Sequence, residues 1–154
     1  MTPRTYKSDL STDEKVLMAI VRAAEFFKRI HCGVFKSFGL SFPQYNVLRV
    51  LDSSKNGRNK ISEIGRIMLV PGANITGIAK RLAKDGFVIK KSDPRDDRVT
   101  ILEIMPKGKN ALKNIEKQKD HRLKLMLKNL SGPQKRDLLD KVKCILKNSM
   151  LLKG

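Results

Sequence analysis

The side chains best placed to do chemistry in this sequence are hydrogen-bond donors and cations. In the run from Gly72 to Gly86 these are Asn74, Thr76, Lys80, Arg81 and Lys84, with Gly77 among them. An amide or a guanidinium can make paired hydrogen bonds to base edges, whereas Lys80 and Lys84 are suited to positioning a helix on phosphate. Gly77 and Ala73 keep the same surface low, so that a large flat partner can come close. Downstream, Lys90, Lys91, Arg95 and Arg98 spread positive charge over a second stretch, and an arginine at a hairpin tip suits a narrow minor groove, where the potential is most negative. Asp96 would repel phosphate, so its expected role is to orient Arg98 through an ion pair.

Catalytic chemistry is poorly served. His31 and His121 are the only histidines, and there is no Gly-rich phosphate loop, nucleophile elbow or metal-ligand spacing. The expectation is no catalytic residue, no metal and no cofactor. Cys32 and Cys144 stand far apart without a CxxC pattern, so neither zinc nor a disulfide framework is indicated.

Elements must hold those donors in place. Ile75, Ile78, Ala79 and Leu82 recur at i, i+3, i+4, i+7, which predicts a helix burying the side opposite the donors. Gly86 then ends it in a position that tolerates a left-handed backbone. A shorter helix is expected before it, from Ile61 to Met68, with Ile64, Ile67 and Met68 packing beneath, and Pro71-Gly72 making the turn. After it, Phe87 to Lys91 and Val99 to Ile104 read as strands of a hairpin with a long charged tip, Ser92 to Arg98. Helix, turn, helix and ribbon make a winged helix-turn-helix.

On either side lie more helices. Ser11 to Glu14 is an S-x-x-E capping box opening a helix to about Phe35, whose apolar residues from Val16 to Ile30 cover more than one narrow stripe. Ser41 to Gln44 opens another, with Pro43 in its first turn and Tyr45, Val47, Leu48 and Leu51 on its buried face. Asp52 to Lys60 reads as a solvated loop. A lysine-rich helix follows from Pro106, and Ser131 to Gln134 caps a last one running to about Met150 with Leu138, Leu139, Val142, Ile145 and Leu146 on one side. The fold class expected is mainly α with a small β-wing: residues 38–105 as the DNA-binding domain, 10–37 and 106–152 as a helical dimerisation region. The terminal helices are too apolar to be left single, so the chain is expected to pair with itself and read an inverted repeat.

The charge points to a polyanion. Thirty-three Lys and Arg against 15 Asp and Glu leave a formal +18 over 154 residues, and neutralised phosphates release counterions that drive association. Double-stranded DNA is the first expectation. A basic RNA-binding or nonspecific nucleic-acid-binding protein is the alternative, although aromatic residues for stacking make up only 5% of the chain. A membrane surface comes third and is not expected as a partner, because the basic helix from Pro106 has no clean bulky apolar face. Val16 to Val21 is the longest apolar run, and Met1 to Leu10 lacks the apolar core of a signal peptide, so the expected location is the cytoplasm.

Together the motifs resemble those of the MarR family of bacterial transcription regulators, from about Leu40 to Gly108 and more loosely through the flanking helices. Leu40-Ser41 with Gln44 and Leu48 resembles the family's second-helix entry, and Asn74 to Gly77 with Arg81-Leu82 and Gly86 its recognition helix. Asp96-Asp97-Arg98 resembles its D-x-R wing element, and Lys107-Gly108 its K-G at the start of the long helix. Asp97 stands where the family often has a second arginine, and Ile104-Met105-Pro106 where it has Leu-Thr. The resemblance implies a homodimeric repressor released by a small aromatic or phenolic effector where the dimerising helices meet the winged unit. His31, Phe35, Tyr45 and Arg49 are the nearest candidates to hold it, an aromatic wall with a cation for a carboxylate. Some relatives sense peroxide through a cysteine near the first helix, which makes Cys32 the redox candidate; as a residue it reads as inert unless exposed and acidified.

Overall fold

The computed structural model describes residues 9–152; the reading of Met1 to Leu10 as lacking a signal-peptide core therefore lies, except at Asp9 and Leu10, outside the described residues. The elements in order are α1 (Thr12–Ser37), α2 (Phe42–Asp52), a 3-10 turn (Lys55–Gly57), β1 (Arg58–Lys60), α3 (Ile61–Met68), α4 (Gly72–Lys84), β2 (Val88–Asp93), β3 (Asp96–Ile104), α5 (Pro106–Met126) and α6 (Gly132–Leu151). The protein is mainly α with a small antiparallel sheet in the order β1-β3-β2. Two compact units divide it, one ending at Ile115 and one beginning at Glu116.

Local chemistry sets the helix starts. Ser41 accepts from the Gln44 N–H at 3.3 Å while the Gln44 side chain accepts from the Ser41 N–H at 2.8 Å, and Ser131 with Gln134 repeats the arrangement at α6. At α1 only half of the expected box forms: Ser11 Oγ accepts from the Glu14 N–H at 3.2 Å. That helix continues to Ser37, and Gly39, at φ +73°, turns the chain into α2.

In the first unit the core is continuous. Phe35 of α1, Leu48 and Leu51 of α2, Ile64 of α3, Leu82 of α4 and Leu102 of β3 are all essentially without solvent contact. Burying side chains of this size stabilises by roughly 1.5–3 kcal/mol each, before the entropy of ordering them is counted. Much of α1 before His31 lies outside this core: Val16, Leu17, Val21, Phe26 and Ile30 are 40–54% exposed. In the second unit no described residue is buried, and Leu138, Leu139, Leu146 and Met150 of α6 lie open on its surface.

Four local expectations are corrected. Asp52 to Lys60 is not loop throughout, because Arg58–Lys60 pairs with Glu103, Leu102 and Ile101 to make a third strand; the polar run hid an edge strand whose order comes from its partner. The wing tip is short, since β2 and β3 extend to Asp93 and Asp96 and leave only Pro94 and Arg95 in the turn. Ile67 is 48% exposed instead of lying under α4. The turn between α3 and α4 begins earlier than Pro71, at Leu69 in the left-handed region (φ +58°), with the Val70 N–H donating back to Gly65 O at 3.0 Å. That six-residue closure is a Schellman-type stop. It explains Gly65, where an added Cβ would lie 2.9 Å from Val70 O.

Candidate nucleic-acid interface

Helix α4 presents two unlike faces. Ile75, Ala79 and Leu82 are fully buried, whereas Asn74, Thr76, Gly77, Lys80, Arg81 and Lys84 are all exposed. The Thr76 hydroxyl donates to Gly72 O at 3.1 Å and so offers lone pairs outward. A Cβ added at Gly77 would meet nothing within 4 Å, so this surface is open. Neither α3 nor α4 has a side-chain cap, in contrast to α1, α2 and α6 with their serines. Their leading N–H groups are free of side-chain competition, the arrangement that favours phosphate oxygens.

The wing is a set of oriented cations. Asp96 Oδ1 accepts from Arg98 Nε at 3.1 Å and from the Arg98 backbone N–H at 3.0 Å, while its Oδ2 accepts from the guanidinium at 3.3 Å. The Arg98 side chain remains 90% exposed, aimed but not covered. The same hydrogen bonds hold the Asp96 carboxyl below its ordinary range. Asp93, buried, accepts from the Arg95 N–H at 2.9 Å and pairs with Lys60 at 3.6 Å, which shapes the tip. Lys91 donates to Glu103 at 2.6 Å, with Arg58 at 3.6 Å on the other carboxylate oxygen, and the Lys91 hydrogen bond leads the causes that lower the Glu103 pKa. Lys91, Lys90 and Arg95 are all exposed, but Lys91 is engaged within the sheet by Glu103.

A cleft of about 300 Å³ joins these pieces, lined by Ile61, Ser62, Gly72, Thr76, Arg98, Val99 and Thr100. The start of α3, the start of α4 and the wing arginine therefore face one space. Ser62, Thr100 and Lys60 are not legible in the sequence: the hydroxyls carry no spacing signal, and Lys60 lies in the polar run that reads as loop.

The four effector candidates all lie in the first unit, in different surroundings. His31 is fully buried, with Nδ1 2.8 Å from Phe27 O, and Nε2 has no hydrogen-bond partner among the described residues. Phe35 stacks on Tyr45 with centroids 4.4 Å apart, and Arg49 pairs with Asp52 at 4.0 Å. Phe35 lines one cavity of about 390 Å³, together with Lys28, Cys32, Lys36, Gly39, Leu40, Ser41 and Phe42. Periodicity could not tell which aromatics close the core and which border a void. Cys32 is exposed there, one turn from a lysine on each side. No group of three or more potential metal ligands occurs among the described residues, nor is any described helix long and apolar enough to cross a membrane.

Comparison with known proteins agrees with this geometry. A family model described as the MarR family matches residues 38–99. The chain is 35% identical over 86 residues to the HTH-type transcriptional regulator SarT of Staphylococcus aureus, covering 52% of this chain and 70% of the relative. It is 29% identical over 101 residues to the HTH-type transcriptional repressor YetL of Bacillus subtilis, covering 66% and 60%. It spans about half to three fifths of the length of several Bacillus subtilis regulators that it matches. Among solved structures, Sco3205 of Streptomyces coelicolor, a MarR family regulator in complex with DNA, superposes with a TM-score of 0.80 at 18% identity, over 90% of this chain and 92% of that one. At that identity the likeness is one of fold.

Proposed function

The chain belongs to the MarR family of transcriptional regulators, and from that premise we propose that it is a sequence-specific double-stranded DNA-binding repressor. In this reading it acts in the cytoplasm as a homodimer on an inverted-repeat operator. The observation that carries it is the pairing of the open polar face of α4 with Arg98, held by Asp96 across one cleft. Residues 38–105 bind DNA. Asn74 and Arg81 read base edges, and Thr76 lies beside the close approach that Gly77 permits. Lys80, Lys84, Lys90 and Arg95 meet phosphate, with Lys91 a weaker contributor because of Glu103, and Arg98 enters the minor groove.

Residues 10–37 and 106–152 dimerise. Support comes from the apolar surface left open on α1 between Val16 and Ile30 and, separately, on α6; a second copy of the chain would remove it from water. An effector would occupy the cavity beside α1, where Phe35, Leu40 and Phe42 suit an aromatic ring and Lys28 and Lys36 suit an acidic group. Cys32 would lie against that ligand, a position that favours contact over redox sensing.

The test is selection of bound duplexes from a random pool, followed by shift assays at about 150 mM salt, where nonspecific attraction is already much reduced. An inverted repeat should emerge, and Arg81→Ala with Arg98→Ala should bind it at least tenfold more weakly, given that a paired base contact contributes about 1–3 kcal/mol. Unchanged affinity and salt slope would remove the assignment. Equal binding to structured RNA would favour the nonspecific nucleic-acid reading instead.

A further inference from the structure

Lys107 stands where its own helix does not want it. It is the second residue of α5, at the positive end of that helix's dipole, where a cation is unfavourable. Its side chain reaches away from α5 to the opposite kind of site. Nζ donates to Asp85 O at 2.6 Å, at the C-terminal end of α4, and lies 4.5 Å from the centre of the Phe87 ring. There a cation satisfies an orphan carbonyl and the negative end of the dipole of α4.

The surrounding backbone closes around this contact. The Phe87 N–H donates to Leu82 O and the Met105 N–H to Phe87 O, both at 2.9 Å. Gly86 turns at φ +81°, and an added Cβ there would lie 3.9 Å from the Lys107 stem. Gly108 allows the approach: a Cβ on it would lie 2.8 Å from Phe87 O and 2.8 Å from an Ile104 side-chain carbon. Lysine followed by glycine is therefore a matched pair. The glycine lets α5 come against the exit from α4, and the lysine fastens it there.

We propose that Lys107 is a positioning residue for DNA reading, which caps α4 from the first turn of α5 so that the setting of α4 follows α5. The proposal rests on the reading of α4 as the DNA-reading helix. Lys107 touches no base in it, and its effect is on discrimination, not on general attraction to phosphate. Lys107 sits in the first turn of α5, so a displacement of that turn would act on Asp85 through this hydrogen bond.

The experiment uses the full chain, with Lys107→Met keeping the stem over Phe87 but removing donor and charge, and Lys107→Arg restoring both. Affinity is measured for the duplex selected by the wild-type chain and for a scrambled duplex, across salt, well below each protein's Tm. Lys107→Met should lose about tenfold on the selected duplex, with scrambled-duplex affinity and salt slope unchanged, and Lys107→Arg should recover most of it. Amide exchange at Asp85 to Phe87 should quicken in the methionine variant alone. An equal loss on both duplexes with a salt slope smaller by about one would make Lys107 a phosphate contact and overturn the proposal. A lower Tm with the ratio between duplexes intact would overturn it too, in favour of a purely structural role. A wild-type chain without preference for any duplex refutes the reading of α4 itself; a wild-type preference that Lys107→Met retains refutes only the role of Lys107.

Discussion

Replacing Gly77 with alanine should make the protein more stable and its DNA binding weaker. Gly77 lies in the middle of α4, exposed, with nothing within 4 Å of an added Cβ and no positive φ to strain it. Glycine in a helix interior is about 1 kcal/mol less favourable than alanine, so the folded chain should gain roughly that amount. For a chain of this size that is a rise of about 2–4 °C in Tm. The same methyl group would stand on the face that the proposed reading assigns to the bases, where it would meet DNA at close approach. Forcing a methyl group into a closely packed contact costs typically about 1–3 kcal/mol, which is roughly 5- to 150-fold in affinity. Melting followed by circular dichroism gives the first quantity, and fluorescence anisotropy with the selected duplex, using a scrambled duplex as control, gives the second. A higher Tm with undiminished specific binding would show that Gly77 does not face DNA. A lower Tm would contradict the open surroundings of the residue in α4.

Gly108→Ala should have the opposite sign for stability, because the helix gain is overwhelmed by contacts of 2.8 Å to Phe87 O and Ile104; a net loss of about 1–3 kcal/mol is expected, read as a Tm several degrees lower, and a Tm at or above wild type would refute the close approach. Acid should also destabilise. Glu63, Asp96 and Glu103 all have pKa values lowered, in each case chiefly by a hydrogen bond from a cation, respectively Arg66, Arg98 and Lys91. A depressed folded-state pKa gives stability that is present above the ordinary carboxylate value and lost as pH falls through the depressed one. Because exposed pairs contribute little, the triple variant Glu63→Gln, Asp96→Asn, Glu103→Gln should show only a slightly flatter fall of Tm in that acid window, and an unchanged slope would place the acid response elsewhere.

Much of the architecture was legible because several local signals coincided. The 3.6-residue spacing in α4, the serine boxes at α2 and α6, and Gly86 each specify local geometry through adjacent residues. What escaped was set by distant partners. Arg58–Lys60 has no strand pattern of its own and becomes β1 only by pairing with β3. The turn at Leu69 lacks the usual glycine at the left-handed position; its signal was Gly65, five residues before the Val70 carbonyl that needs the space. The wing pair was readable because Asp96 and Arg98 are two residues apart in sequence. Whether Tyr45 closes the core or borders a cavity has no such local signal, since it depends on how α1 and α2 pack, a matter of tertiary contact.

Where acids remain in so basic a chain helps to separate attraction from reading. With a net charge of +18, any wing carboxylate weakens the pull on a polyanion, yet Asp93, Asp96 and Glu103 all lie on the wing sheet, each paired with a cation. The most exposed of these pairs, Arg98 with Asp96, adds little to folding stability, so stability alone is a weak account of it. The clearer effect of the three acids is geometric: Asp96 fixes the direction of Arg98, Asp93 shapes the tip, and Glu103 draws Lys91 and Arg58 to the sheet. Lys107 acts on α4 in the same manner from the other end, as a cation whose work is to hold a helix. The general positive field can then supply encounter and nonspecific affinity from many residues, while the choice of sequence depends on the few side chains that these internal contacts keep in place.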